Sequence, residues 1–89
     1  MNYLHVTITS PKKDLFTGEA SSVSSANSVG KFDILPEHAN FVTLIEKHPI
    51  IIRPPKGKSI VFNFALAVIS VNSNKVTIYT DIQPMISSS

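Results

Sequence analysis

The sequence predicts an all-β protein, folded as a flattened β-sandwich or partly closed barrel of about eight to ten short strands. Several segments alternate apolar and polar residues with a period of two, as strands that bury one face do. Residues that favour turns recur about every 8 to 12 positions. A helix would require a long amphipathic stripe with capping residues at its ends. The sequence has neither, so no helix is predicted.

The 89 residues suffice for one small domain. We expect the sandwich to span residues 1–82, and residues 83–89, which end in three serines, to form a loose C-terminal tail. The sequence has no cysteine, so neither a disulfide nor a thiolate metal site supplements the core. Hydrophobic residues make up 43% and charged residues 16%, which predicts a packed domain whose surface is rich in Ser, Thr and Asn.

The charge pattern argues against a nucleic-acid interface. The formal net charge is +2, Arg53 is the single arginine, and the basic residues are dispersed from Lys12 to Lys75. Phosphate-binding surfaces more often cluster lysine with arginine. No apolar run approaches the roughly 20 residues that cross a bilayer, and no secretory leader pattern is present, so we expect a soluble protein.

The first strand is predicted at Tyr3–Thr9. Leu4, Val6 and Ile8 alternate there with polar residues, so one face of the strand is expected to be buried and the other exposed. Ser10–Asp14 follows with a proline and polar residues, which predicts a turn.

A weaker strand region is predicted from Leu15 towards Ser25. It is rich in serine and poorly patterned, so we expect it at a sheet edge or facing solvent. Ala26–Gly30 is predicted as a loop, and Lys31–Leu35 as a short strand that stops before Pro36.

Three further strands are predicted at Phe41–Glu46, Ile50–Arg53 and Ser59–Ala65. Pro54–Gly57 contains two prolines and a glycine, and therefore predicts a hairpin connector between the second and third of these strands. The third strand presents one apolar face, made of Ile60, Phe62 and Phe64.

The last two strands are predicted at Leu66–Val71 and Lys75–Thr80, with a turn at Asn72–Asn74. Lys75–Thr80 alternates clearly, which indicates one buried face. That face consists of Val76, Ile78 and Thr80, against Thr77 and Tyr79 on the other.

The sequence contains no recognisable catalytic or metal site. None of the three histidines stands at a spacing that brings two imidazoles to one metal; we expect His5 on the outer face of the first strand and His48 in a turn. The three glycines are too far apart for a nucleotide phosphate loop, and no serine has the context of a strained nucleophile turn. The carboxylates lie mainly near predicted turns, which gives general acid–base catalysis no support.

His38 is the histidine that stands out. It follows Pro36 and Glu37 on a predicted exposed loop, next to Lys31 and Asp33 across a short strand. One interpretation is a surface histidine without a role, and a second is contact with a partner. A third, a small hydrolase, requires a pocket with a base or nucleophile beside the imidazole.

Phe62, Phe64 and Tyr79 allow one more interpretation, a base-stacking platform for single-stranded nucleic acid. The alternate positions of Phe62 and Phe64 on one strand favour the core instead.

Four blocks of sequence carry a family resemblance: Ser10–Pro11, Leu15–Ala20, Gly30–Ala39 and Asn74–Asp81. In this order and at this spacing they resemble the amino-terminal β-domain of the epsilon subunit of F-type ATP synthases. The resemblance extends over approximately residues 3 to 82.

The resemblance implies a β-sandwich at the foot of the central stalk of a rotary ATPase, where it docks on the gamma subunit and on the membrane ring of c subunits. Such a subunit couples ion transport to ATP synthesis without a catalytic residue, metal or cofactor of its own, and contacts the membrane only through the complex, on its cytoplasmic, matrix or stromal face. The residues implied at the c ring are Gly30, Lys31, Phe32, Glu37 and His38. Those implied at gamma are Ser10, Thr43 and Ala65.

This chain departs from the family pattern in several places. The family usually has an acidic residue at the position of Lys31, glycine at those of Asp33 and Glu37, and proline at that of Asn40. Ala65-Leu66-Ala67 replaces a Ser-Gly-Gly. These departures keep open the alternative of a diverged adaptor in another ATPase-like complex. The family's C-terminal helical hairpin is not in this sequence, so we expect a constitutive coupling part without the hairpin's inhibition of hydrolysis.

Overall fold

The computed structural model describes residues 2–80 as nine β-strands in two sheets. The strands are β1 Leu4–Thr9, β2 Asp14–Ala20, β3 Ser22–Ala26, β4 Lys31–Ile34, β5 Phe41–Glu46, β6 Pro49–Arg53, β7 Ile60–Asn63, β8 Leu66–Asn72 and β9 Lys75–Thr80. The all-β prediction is confirmed, and nine strands in the described part of the chain agree with the predicted number. The sheets remain separate, so the architecture is the flattened sandwich and not the partly closed barrel.

The larger sheet has five strands in the order β2-β1-β9-β8-β5. Neighbouring strands in this sheet are antiparallel, except that β1 and β9 run parallel, with Ile8 beside Ile78. The first and last described strands therefore lie side by side in the middle of this sheet. The pairing joins the two ends of the described chain.

The smaller sheet has four antiparallel strands in the order β4-β3-β6-β7. The predicted hairpin connector joins β6 to β7. Gly57 in that connector has a φ of 99°, a conformation that residues with a Cβ rarely adopt. The glycine therefore suits this turn for a steric reason.

The core lies between the sheets and is made of apolar side chains from both. The alternation in β1 and β9 correctly predicted their buried faces, including Ile8 and Ile78. Phe62 and Phe64 stack with ring centroids 6.0 Å apart and pack against the core, as predicted in preference to a base-stacking platform. The fully buried apolar set is Leu4, Val6, Ile8, Ala20, Val23, Ile34, Ile45, Ile50, Ile52, Ala67, Ile69, Val71, Val76 and Ile78.

The serine-rich segment differs from its prediction. The chain changes sheet at Ser21, so the segment forms two strands: β2, at the edge of one sheet as predicted, and β3, inside the other sheet. Three serines of β3 are buried, where an exposed stretch was expected. Their hydroxyls are satisfied by hydrogen bonds, which removes the cost of burying a polar group. They are Ser22, Ser24 and Ser25.

The remaining boundaries match their predictions to within a few residues. His5 is exposed on β1, and His48 lies in the bend between β5 and β6, both as expected. The last two residues of the predicted domain, 81 and 82, and the predicted tail 83–89 lie outside the described residues.

Candidate functional site

Three turns meet at one end of the sandwich, and we call this surface the turn end. It comprises the β3–β4 turn (residues 27–30), the β4–β5 turn (residues 35–40) and the β8–β9 turn at Ser73 and Asn74. A shallow groove of about 330 Å³ lies here, lined by Asn27, Val29, Gly30, Lys31, Phe32, His38 and Phe41. Four of the five residues expected at the c ring are therefore brought together around one groove.

The β3–β4 turn is built around Asn27. Its backbone N–H and carbonyl exchange hydrogen bonds with Gly30 at 3.0 and 3.2 Å, and its side-chain Oδ1 accepts from the Val29 N–H at 2.9 Å. Gly30 has a φ of 149°, which favours glycine at the point where β4 begins. The Asn27 Nδ2 also donates to the Thr43 hydroxyl at 2.8 Å, and so ties the turn to β5 of the other sheet.

Three rings form the wall of the groove. The Phe32 and Phe41 rings meet edge to face with centroids 5.8 Å apart, and the His38 imidazole lies 5.1 Å from Phe41. The His38 Nδ1 is 2.8 Å from the Ala39 carbonyl oxygen. Since a carbonyl only accepts, Nδ1 carries the proton and Nε2 is left for solvent or a partner. The imidazole is half-buried, where the sequence predicted an exposed loop residue.

Glu37 lies next to this groove and is fixed by contacts with distant residues. Its carboxylate accepts hydrogen bonds from Asn2 Nδ2 at 2.6 Å and from Asn74 Nδ2 at 3.4 Å, and its backbone N–H donates to Asn74 Oδ1 at 2.7 Å. Its φ is 70°, in the left-handed region that glycine tolerates best. The position therefore has the backbone geometry of the glycine that the resemblance places there.

Lys31 and Asp33 lie on the same face of β4, but only Lys31 lies beside His38. Lys31 lines the groove with His38, as the sequence predicted. Asp33 points instead across the outer face of the smaller sheet, where its carboxylate accepts from the Ser24 hydroxyl. His38 therefore has Lys31 but not Asp33 beside it.

The three residues expected at gamma have different surroundings. Ser10 follows β1 and closes the β1–β2 turn, with its hydroxyl donating to the Lys13 carbonyl at 3.0 Å. Ala65 is exposed just before β8, and the strand registers place it at the same end of the larger sheet as Ser10. Thr43 lies halfway along β5 and is half-buried, since its hydroxyl accepts from Asn27.

The larger sheet exposes an apolar surface that was not identified from the sequence. Val42 and Leu44 on edge strand β5 are 68% and 49% exposed, and Tyr79 on β9 is 46% exposed. The registers place Val68 of β8 between Leu44 and Tyr79. We call Val42, Leu44, Val68 and Tyr79 the apolar row. The signal in the sequence was the apolar character of β5 on both faces.

The described residues lack the arrangement of a hydrolase or metal centre. Within residues 2–80, the His38 ring makes no hydrogen bond to a serine or carboxylate side chain. No group of three or more potential metal ligands is present in the same part of the chain. The fold contains no helix long and apolar enough to span a membrane, as far as residues 2–80 show.

Comparison with known proteins shows the family to which this fold belongs. Residues 3–83 match the family described as the ATP synthase, Delta/Epsilon chain, beta-sandwich domain. The ATP synthase epsilon chain of Stenotrophomonas maltophilia (strain K279a) is 26% identical over 81 residues, which are 91% of this chain and 58% of that protein. The ATP synthase epsilon chain of Clostridium botulinum (strain Alaska E43 / Type E3) is 31% identical over 74 residues, which are 83% of this chain and 55% of that protein.

Two solved structures share the fold. A chain in the cryo-EM structure of the Tetrahymena thermophila mitochondrial ATP synthase central stalk and c-ring superposes with a TM-score of 0.74 at 19% identity, covering 89% of this chain and 63% of that one. A chain in the Euglena gracilis mitochondrial ATP synthase structure gives a TM-score of 0.80 at 16% identity, covering 88% and 50%. This chain thus spans less than two thirds of the length of each of these four relatives.

Proposed function

This chain belongs to the family of the ATP synthase delta/epsilon chain β-sandwich domain, and we propose that it is a non-catalytic, epsilon-like subunit of an F-type or F-like rotary ATPase. It docks on gamma and on the c ring in the central stalk. In this role it couples proton or ion transport to ATP synthesis, at the cytoplasmic, matrix or stromal face of an energy-coupling membrane.

The apolar row carries this proposal. A sheet in a soluble monomer usually exposes polar residues on its outer face, and a contiguous apolar patch there marks an interaction surface. Leu44, Val68 and Tyr79 lie side by side on three adjacent strands, and the opposite face of these strands is already buried in the core. We infer that a partner covers this row, and we assign it to gamma.

Ser10 and Ala65 fit the same interface, since they lie at the adjoining end of the larger sheet. Thr43 lies between Val42 and Leu44 in sequence, but its side chain points to the opposite face of edge strand β5, where its hydroxyl accepts from Asn27. The apolar row supplies the area that excludes water, Ser10 and Ala65 supply contacts beside it, and Thr43 supports β5 from behind.

The turn end is proposed to face the c ring. Its groove offers the Lys31 ammonium and the His38 imidazole, with the Gly30 backbone and the Phe32 ring alongside. Glu37 is held by Asn2 and Asn74, so its loop is ordered before any contact is made. Such preorganisation lowers the entropy lost on docking. Because Lys31 replaces the family's acid, the complementary ring loop must carry an acidic or neutral group.

The test is binding to the gamma subunit of the same organism, measured by biolayer interferometry with Leu44→Asp and Val61→Asp. Both residues are exposed aliphatic side chains on strands, at 49% and 54%, but Val61 lies on the other sheet. Burying a leucine contributes about 1.5–3 kcal/mol, so Leu44→Asp is expected to weaken binding by at least about tenfold. Val61→Asp is expected to change it less than about twofold.

Two results would count against the proposal. Equal effects of the two variants would remove the apolar row from the interface. Wild-type protein that is folded by circular dichroism but does not bind folded gamma would favour the diverged adaptor instead.

A further inference from the structure

The outer face of the smaller sheet carries a trough that shares only Lys31 and Phe32 with the turn-end groove and no residue with the apolar row. Its floor is strand β3, whose outward side chains are small because they come from Ser22, Ser24 and Ala26. The flanking strands β4 and β6 carry longer side chains, including Lys31 on one wall and Arg53 on the other. Small residues between large ones leave a depression of about 340 Å³. This is a volume at the lower end for small-molecule sites.

Arg53 is positioned within this trough by the serines. Its Nη1 donates to the Ser24 hydroxyl at 2.6 Å and to the Ser22 hydroxyl at 3.3 Å. Ser24, which is only 8% exposed, in turn donates to the Asp33 carboxylate. A guanidinium has five N–H donors, and in the described part of the chain Arg53 uses only Nη1 for side-chain bonds. Nε–H and the Nη2 hydrogens are left to bind an acceptor.

The trough combines positive charge with apolar walls. Lys31 and Arg53 are the basic side chains of the lining, Asp33 is its one carboxylate, and the His48 imidazole adds a further hydrogen-bonding group. Two positive charges against one negative leave a net charge of +1 without His48. Pro49 and Ile51 supply an apolar surface beside these groups. A matching ligand has an oxyanion at one end and a compact apolar body at the other.

We propose that this trough is a binding site for a small organic anion, with a phosphate or carboxylate group on Arg53 and an apolar body against Pro49 and Ile51. Lys31 adds positive charge at the end of the trough beside Ala26. The forked guanidinium suits either oxyanion, because both accept two parallel N–H bonds. The site lies on the sheet opposite the apolar row, so it stands independently of the contact with gamma.

The test is a titration of ¹⁵N-labelled protein with phenyl phosphate, benzoate and inorganic phosphate, at an ionic strength held constant with sodium chloride. We expect saturable shifts at the amides of Ser24 and Asp33 and at the side-chain Nε of Arg53. Phenyl phosphate is expected to bind more tightly than inorganic phosphate, because only the former covers the apolar wall. Benzoate distinguishes a preference for carboxylate from one for phosphate.

Three variants sharpen the test. Arg53→Gln is expected to weaken phenyl phosphate binding at least about tenfold, since it removes a charge-assisted pair of hydrogen bonds. Lys12→Gln removes the same charge from the exposed β1–β2 turn, and should change binding less than about twofold. Asp33→Asn removes the negative charge beside the bound oxyanion and should tighten binding severalfold, a gain that a purely structural role of Asp33 does not produce.

The proposal is overturned if no saturable shift occurs up to about 20 mM of any of the three probes, which is far above the range of a useful site. It is also overturned if Lys12 and Lys13 shift as much as the trough, which would indicate non-specific attraction of anions. Weaker binding by a folded Asp33→Asn protein would contradict it as well. If Arg53→Gln does not fold, the shifts of the wild-type protein and the affinity of Asp33→Asn still test the proposal.

Discussion

Replacing Asn74 with alanine should loosen the loop that carries Glu37 and His38. The Asn74 side chain accepts from the Glu37 N–H at 2.7 Å and donates weakly to the Glu37 carboxylate at 3.4 Å. Its own backbone has a φ of 66°. The carbonyl of Asn74 also accepts from the His5 N–H at 2.8 Å, a bond that a side-chain substitution leaves in place. Asn74 therefore connects the β8–β9 turn to the candidate c-ring surface.

The magnitude follows from two contributions. Losing the short bond to the Glu37 N–H costs about 1 kcal/mol at a half-exposed site. Placing alanine in the left-handed region costs about 1 kcal/mol more, because its Cβ approaches the following carbonyl and it has no side-chain amide to compensate. Asn74→Ala should thus destabilise the protein by about 2 kcal/mol, and Asn74→Gly, which avoids the second contribution, by about 1 kcal/mol.

Urea unfolding followed by circular dichroism measures both variants. With an m-value of about 1 kcal/mol/M for a domain of this size, the midpoints should fall by about 2 M and 1 M respectively. Amide exchange at Glu37 should accelerate in both variants, while exchange at Ile78 in the sheet centre should follow only the global stability. Equal midpoints for alanine and glycine would refute the backbone contribution. An unchanged rate of amide exchange at Glu37 would refute the proposed role of the Asn74 side chain in holding the Glu37 loop.

Two stability predictions concern strand β9. Thr80→Val should raise the free energy of unfolding by about 1 kcal/mol, because the buried Thr80 hydroxyl has no hydrogen-bond partner within the described residues. An unchanged or lower melting temperature would contradict this prediction. Ile78→Ala, at a fully buried position in the central strand, should cost about 3–4 kcal/mol in urea unfolding, whereas Tyr79→Ala next to it should cost less than about 1 kcal/mol. Similar losses for both would mean that the two faces of β9 are assigned incorrectly.

The sheet faces could be predicted where local alternation is strong. In β1 and β9 every second residue is a large aliphatic or threonine, and these residues are the buried ones. Strand β3 was the exception, because Ser24 and Ser25 are buried through hydrogen bonds to Arg53, Asp33 and the Pro49 carbonyl. Those partners lie up to 29 residues away in sequence, so no local pattern reveals them.

The candidate site could be predicted only in part. The resemblance supplied the positions of Gly30 and His38, and the fold brings both to one groove. The contact of Glu37 with Asn74 joins positions 37 residues apart, and it depends on the antiparallel pairing of β5 with β8, which local residue spacing does not reveal. The apolar row was missed because Val42 and Leu44 were counted as part of an apolar strand without assigning them to a face.

Whether this chain is a stalk subunit is tested most directly by purifying it, affinity-tagged, from the detergent-solubilised membranes of its own organism. Our proposal predicts that gamma and c subunits co-purify in stoichiometric amounts, identified by mass spectrometry, and that Leu44→Asp lowers the yield of gamma while Val61→Asp does not. Recovery of the folded, tagged chain in a complex that contains neither gamma nor c subunits would contradict it.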